Sequence, residues 1–217
     1  MRSGRGLFIS FEGTEGSGKS TQMRLLVEHL RKEDVTVTIN QEPGGTSIGK
    51  QIRRILLDPA NGEMNAMTEL LLMFASRAQA AAEIIRPALD RGEVVVSDRF
   101  TDSTLAYQGF ARGLGFDTVM AVHRVAVGPL LPDLTIAIEV DVATGLERAR
   151  ARNVENGAAC PETRLDQQSL EFHKRVAQGY RRIAASDPER FRIVDGRGEP
   201  AEVAGRVWSQ VERALKL

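Results

Sequence analysis

The chain has 217 residues, 42% of them hydrophobic, and its 29 Lys+Arg balance its 29 Asp+Glu to a formal net charge of zero. That length and apolar share suit one α/β domain over 1–217, with at most a mobile insertion, and the charge balance argues against a blanket nucleic-acid footprint. The single cysteine, Cys160, excludes an internal disulfide and a cysteine metal cluster, and no apolar run approaches the ~20 residues of a membrane helix.

Met1–Gly13 is basic at its start, but its apolar stretch is short and broken by Ser10 and Glu12. It reads as a first strand and not as a signal peptide, and the chain is expected to work in the cytoplasm. Short apolar runs bounded by turn residues predict buried parallel strands at Leu7–Phe11, Val35–Ile39, Val94–Val96, Leu134–Glu139 and Phe191–Val194. Helical patterns fall between them, at Ser20–Lys32, Ile48–Leu57, Thr68–Leu89, Thr118–Val127, Ala143–Arg152, Gln168–Ala185 and Ala201–Leu215. Alternating strands and helices predict βαβ units, a parallel sheet, and ligands at the carboxyl ends of the strands. Asn153–Thr163 has no clear pattern and reads as a mobile loop. His29, His123 and His173 are scattered and read as surface or packed side chains, not as a metal site.

Gly13-Thr14-Glu15-Gly16-Ser17-Gly18-Lys19-Ser20, followed by Thr21, fits the pattern G-x-x-x-x-G-K-[ST]. It follows a predicted strand and opens a predicted helix, as a phosphate-binding loop must. The glycines let backbone N–H groups converge on phosphate oxygens, and the helix dipole points its positive end at the same place. Lys19 can reach the β- and γ-phosphates and Ser20 can bind magnesium, so a nucleoside triphosphate with magnesium is the expected ligand. No Asn-Lys pair occurs in the chain, which removes the guanine signature of a regulatory GTPase. A small chain of this kind suits a kinase for a small acceptor.

An anionic acceptor needs a second phosphate site. Asp98 and Arg99 end a predicted strand, where Asp98 can serve magnesium and the Arg99 guanidinium can clamp a phosphate. Glu42-Pro43-Gly44-Gly45-Thr46 forms a rigid turn after the second strand, able to approach a nucleotide.

These segments resemble thymidylate kinase. The blocks that carry the resemblance are FEGTEGSGKST, EPGGTSIGKQIRRILLD, SDRFTDSTLAYQG at 97–109 and LERARAR at 146–152. The resemblance implies the nucleoside-monophosphate-kinase fold, a five-stranded parallel sheet surrounded by helices, with ATP as donor, dTMP as acceptor and Mg2+. It implies that Glu15 reaches the acceptor sugar near its 3′-hydroxyl, the competing reading being an exposed loop tip. Arg77 would donate to thymine, unless it is an ordinary helix-surface arginine. Arg53 would lie near the acceptor, with Glu42 and Pro43. Thr104, Tyr107 and Gln108 would line the base and sugar pocket, Tyr107 crowding the 2′ position unless it is a core aromatic. The family's usual dimer is expected here too.

Arg148, Arg150 and Arg152 precede the patternless loop and Arg164 follows it. The resemblance makes 147–165 a lid whose arginines neutralise the moving phosphoryl group, with Arg150 and Arg152 ranked first and Arg148 next. Three departures from the family stand out. Gln41 replaces an arginine before the EPGGT glutamate, Met73 occupies the usual place of a thymine-stacking phenylalanine with Phe74 beside it, and the lid is long. They leave open a different monophosphate as acceptor. A nucleotide-binding protein without transfer activity is the other alternative.

Overall fold

The computed structural model describes residues 5–155 and 164–216. Its centre is a five-stranded sheet in the order β2-β3-β1-β4-β5. The strands are β1 Phe8–Glu12, β2 Val37–Gln41, β3 Val94–Asp98, β4 Leu134–Glu139 and β5 Phe191–Asp195, and every pairing is parallel. The helices are α1 Lys19–Lys32, α2 Ser47–Leu57, α3 Ala66–Ala80, α4 Arg86–Asp90, α5 Thr101–Thr104, α6 Phe116–Val127, α7 Val142–Glu155, α8 Leu170–Ser186 and α9 Pro200–Lys216.

Successive side chains on a strand point to opposite faces, and β1 shows it. Ile9 and Phe11 pack on one side with Leu26 and Leu30 of α1 and with Val203, Val207 and Val211 of α9. Phe8 packs on the other side with Ile85, Leu89, Phe100 and Val127. A further apolar cluster joins Leu70 and Phe74 of α3 to Tyr107, Val176 and Tyr180, seating α8 against the segment after α5.

The predicted helix over Thr68–Leu89 is two helices, α3 and α4, joined through a π-helical turn at Ala81–Ile85. Segment 101–111 carried no helical expectation, yet α5 runs into a second π-helical stretch, Leu105–Ala111. Its polar residues Asp102, Thr104 and Gln108 are buried, so the apolar-face pattern that marks a surface helix is missing.

The register sets the site. Phe11 lies opposite Asp98, and Gln41 lies on the other side of the same Asp98. Three carboxyl-terminal strand ends therefore stand side by side. The loops that leave them are the glycine loop, Asp98-Arg99 and Glu42-Pro43. The connection from β1 runs to β2 on one side and the connection from β3 runs to β4 on the other, so the adjacent ends of β1 and β3 form the switch point where open α/β sheets collect ligands.

Candidate active site

A cleft of about 490 Å³ opens at these strand ends. Glu15, Gly16, Lys19, Ser20 and Thr21 line one wall, and Gln41, Glu42, Pro43, Arg53, Met73, Arg77, Asp98, Arg99, Thr104, Tyr107 and Gln108 close the rest. Residues that the sequence spreads from position 15 to position 108 thus face a common space.

The donor end is built by the loop. α1 begins at Lys19 with no side-chain cap on its first N–H groups and no acidic residue in its first turn. Those orphan donors and the positive dipole end are left for an anion. Gly18 holds a left-handed φ of 89° at the cap, a conformation that costs other residues energy. Gly16, with φ 66°, sits so close to α7 that an added Cβ would lie 1.9 Å from the carbonyl oxygen of Gly145. Lys19 Nζ stands 3.6 Å from Asp98 Oδ1. Burial pulls the Lys19 ammonium below its ordinary value, and Asp98 opposes that pull. Gly13, Thr14 and Ser17 shape the loop from behind: Thr14 and Ser17 are buried, and Gly13 and Thr14 face a small space beside β4 and α8 rather than the main cleft.

Arg99 leaves β3 with φ 71°, a left-handed backbone uncommon for a side chain of this size. Its Nη1 donates to Ser103 and to Tyr180, at 2.9 and 3.1 Å. Its Nη2 donates to Tyr107 Oη at 3.2 Å and to Glu15 Oε1 at 3.4 Å. Beneath lies Glu12, fully buried, which accepts from Phe100 N at 2.8 Å, Ser10 Oγ at 2.9 Å and Tyr180 Oη at 3.1 Å, and also from Ser103. Burial and the nearby Asp102 push the Glu12 carboxyl up from its ordinary value.

Glu15 is not at an exposed loop tip. It is buried, accepts from Tyr107 Oη at 2.6 Å and has His173 Nδ1 at 3.0 Å from its Oε2. Burial opposes its charge, but His173 and the Arg99 guanidinium outweigh that and hold the carboxyl down at about 2. Tyr107 is raised well above its ordinary value, mainly by burial, so its hydroxyl stays a donor.

Arg77 is not a helix-surface arginine. It is 2% exposed, and it donates from Nε to Glu42 Oε2 at 2.6 Å, from Nη1 to Thr104 Oγ1 at 3.0 Å and from Nη2 to the Phe100 carbonyl at 3.1 Å. Phe74 corrects an expectation. It does not line the cleft; it sits in the core with its ring 4.7 Å from the Arg77 guanidinium carbon. Met73 is the residue that lines the space, because one helical position turns a side chain by about 100°. Arg53 Nη1 donates to the Pro43 carbonyl at 2.8 Å.

Arg148 and Arg150 are exposed on α7. Arg152 lies on the same helix with its side chain outside the described residues; positions 156–163 of the expected lid, Cys160 among them, lie outside the described residues altogether. Arg164 does not join a lid: it is buried, paired at 2.7 Å with Glu69 Oε2, and its backbone N–H donates to the Leu57 carbonyl at 3.1 Å. Sequence reasoning missed Glu12, Glu69 and His173 as site-building groups. Glu12 adjoins the glycine loop and was the one within reach; the other two are brought in by tertiary packing.

Magnesium suits the donor set here. Ser20, on the wall with Lys19, and Asp98, whose Oδ1 lies 3.6 Å from Lys19 Nζ, offer hard oxygen donors, and Mg2+ typically takes one or two protein oxygens plus phosphates and water. No group of three His, Cys, Asp or Glu among the described residues forms an all-protein cage.

A family model described as thymidylate kinase matches residues 11–207. The thymidylate kinase of Syntrophotalea carbinolica is 48% identical over 210 residues, covering 97% of each chain. That of Desulfovibrio desulfuricans is 44% identical over the same length and coverage. The crystal structure of thymidylate kinase from Ehrlichia chaffeensis superposes with a TM-score of 0.76 at 29% identity, over 96% of this chain and 99% of that one. With a family match across most of its length and full-length relatives near half identity, the chain belongs to the thymidylate kinase family.

Proposed function

We propose that the cleft is where this kinase transfers the γ-phosphoryl group of ATP to dTMP, giving dTDP for deoxynucleotide synthesis. The activity is that of the family; the roles of individual residues are inferred from geometry. The observation that carries them is the juxtaposition, in one 490 Å³ space, of the uncapped loop with Lys19 and the anchored pair Arg77–Glu42.

Gly13 to Thr21 bind the ATP phosphates through backbone N–H groups, and Lys19 follows the charge that moves. Ser20 and Asp98 would hold magnesium, which when bound neutralises charge on the phosphate oxygens. Arg99, fixed by Ser103 and two tyrosines, clamps the acceptor phosphate. Arg77 meets the base with the donors that Glu42, Thr104 and Phe100 leave over. Met73 packs against the ring, its sulfur being soft enough for the contact, while Tyr107 and Gln108 bound the sugar and base, and Arg53 with Pro43 closes the entrance. Glu15 accepts from the sugar hydroxyl. The acceptor phosphate is already ionised near pH 7, so no strong base is required and the protein supplies positioning and charge. Arginines of α7, drawn from Arg148, Arg150 and Arg152, complete the charge shell as the lid closes over the reaction.

The enzyme works in the cytoplasm as a homodimer in this reading, and among the described residues no helix is long and apolar enough to cross a membrane. ADP release from magnesium-ATP with dTMP, dUMP and dCMP in parallel tests the acceptor. A kcat/KM for dTMP at least about 10-fold above the others is expected, the discrimination that a few base-edge contacts provide. Faster turnover of dUMP or dCMP would trace the preference to Gln41 and Met73, and ATP binding without transfer to any acceptor would remove the reading.

A further inference from the structure

Glu15 uses its two oxygens differently. Oε1 accepts from Tyr107 and stands near Arg99, and both of those residues line the cleft. Oε2 faces the other way, into the protein. There His173 Nδ1 lies 3.0 Å away, although the pair is not aligned as a hydrogen bond, and neither Oε2 nor either imidazole nitrogen has a hydrogen-bond partner among the described residues. Buried carboxylate oxygens are rarely left with so little, and each such case asks for a reason.

His173 comes from 158 positions away and is fully buried. It sits near the start of α8, where its backbone N–H donates to the Ser169 carbonyl at 3.2 Å. The Phe172 ring stands edge-on to the imidazole, with centroids 5.6 Å apart. The imidazole thus has a fixed seat behind the glycine loop, while its neighbour Phe172 also packs on Tyr107 at 6.1 Å. One helix therefore touches both Glu15 and the tyrosine that shares its Oε1.

We propose that His173 is a positioning residue for the acceptor sugar: its Nδ1 edge holds Oε2 and thereby presents Oε1 to the 3′-hydroxyl of dTMP. The inference rests on the reading of Glu15 given above and adds to it the group that aims the carboxylate. Without Nδ1, the buried Oε2 loses the charged-pair neighbour on its side of the carboxylate, and only the Oε1 contacts with Tyr107 and Arg99 set its orientation. The contact also helps keep Glu15 ionised against the opposing effect of burial, and an ionised carboxylate is the stronger acceptor.

The test compares kcat/KM for dTMP and for dTMP lacking its 3′-hydroxyl, in wild type and in variants. Wild type is expected to prefer dTMP by about 10- to 100-fold, the usual range for a hydrogen bond to a charged group. His173→Phe keeps a ring of similar size and removes the nitrogen; its preference is expected to fall to about 3-fold or less, mainly through a higher KM for dTMP. His173→Asn, whose amide nitrogen falls near the place of Nδ1, is expected to restore it. His173→Gln, which stays polar but places its nitrogen near Nε2, is expected to behave like the phenylalanine variant and serves if that one folds poorly. A merely structural role would weaken both acceptors alike and leave the ratio intact; an unchanged ratio in the phenylalanine or glutamine variant overturns the proposal. A wild type that turns over both acceptors equally overturns the reading of Glu15 itself, and the proposal with it.

Discussion

Arg77 and Glu42 show how one buried pair serves both folding and recognition. Their side chains are 2% and 1% exposed, so two charges have left water and need each other. Burial pushes the Glu42 carboxyl up, and Arg77 works against that push. The pair fixes the guanidinium plane, with Thr104 and the Phe100 carbonyl taking two further donors and the Phe74 and Phe100 rings lying 4.7 and 5.1 Å from its central carbon. Removing one partner of such a pair leaves an uncompensated buried charge, and the expected loss for Glu42→Ala is about 3–5 kcal/mol of stability, read from urea unfolding. Glu42→Gln keeps an acceptor oxygen and is expected to lose clearly less. In both variants KM for dTMP should rise more than kcat falls, since a loosened Arg77 binds the base poorly while the donor end is untouched. A Glu42→Ala protein as stable as wild type would show that Arg77 is balanced by other groups.

At the level of elements, α7 decides which lid arginine matters. Its Gly145 lies against the loop, where an added Cβ would come within 2.5 Å of the Glu15 carbonyl oxygen. The helix face that carries Gly145 is therefore the face toward the glycine loop. Arg148 is three residues on and shares that face, whereas Arg150, five residues on, is turned about 140° away from it. The even spacing of 148, 150 and 152 could not rank the arginines, because the rank depends on where α7 meets the loop. On this contact we expect Arg148 to matter more than Arg150, whereas the resemblance ranks Arg150 ahead of it. Arg148→Ala is expected to lower kcat by about 100-fold, as for loss of a charge that stabilises phosphoryl transfer, and Arg150→Ala by less than about 10-fold. Single-turnover rates with saturating dTMP give the comparison, and a larger loss at Arg150 would mean that α7 rolls on closing.

For the molecule as a whole, the parts legible in the sequence were those whose signal is local. All five strands were foreshadowed because short apolar runs between turn residues suffice to mark them, and β4 was placed at its observed bounds, Leu134–Glu139. The strand order was not legible beyond a parallel sheet, since it depends on which crossovers pack, and 101–111 was missed because its helix buries polar side chains for the site. His173 and Glu69 stayed hidden for the same kind of reason: their meaning lies in partners distant in sequence. Oligomeric state is also a property of a surface, and here the surface has a bias. α2 packs on α3, and α3 on α6, and this flank carries Ile48, Ile55 and Leu71 about half exposed and Val125 89% exposed. Scattered apolar side chains are ordinary on a monomer, but a contiguous exposed patch marks an association face; this flank is where we expect one, and a stable one buries about 800 Å² on each partner. The expected species is a dimer of the 23.8 kDa chain, seen by sedimentation equilibrium at micromolar concentration. Leu71→Glu places a charge in the middle of α3 and should shift the protein to the monomer while leaving the apolar clusters around the sheet intact, because the Leu71 side chain lies outside them. A wild type that sediments as a monomer, or a Leu71→Glu variant that stays dimeric, would move the contact off this flank.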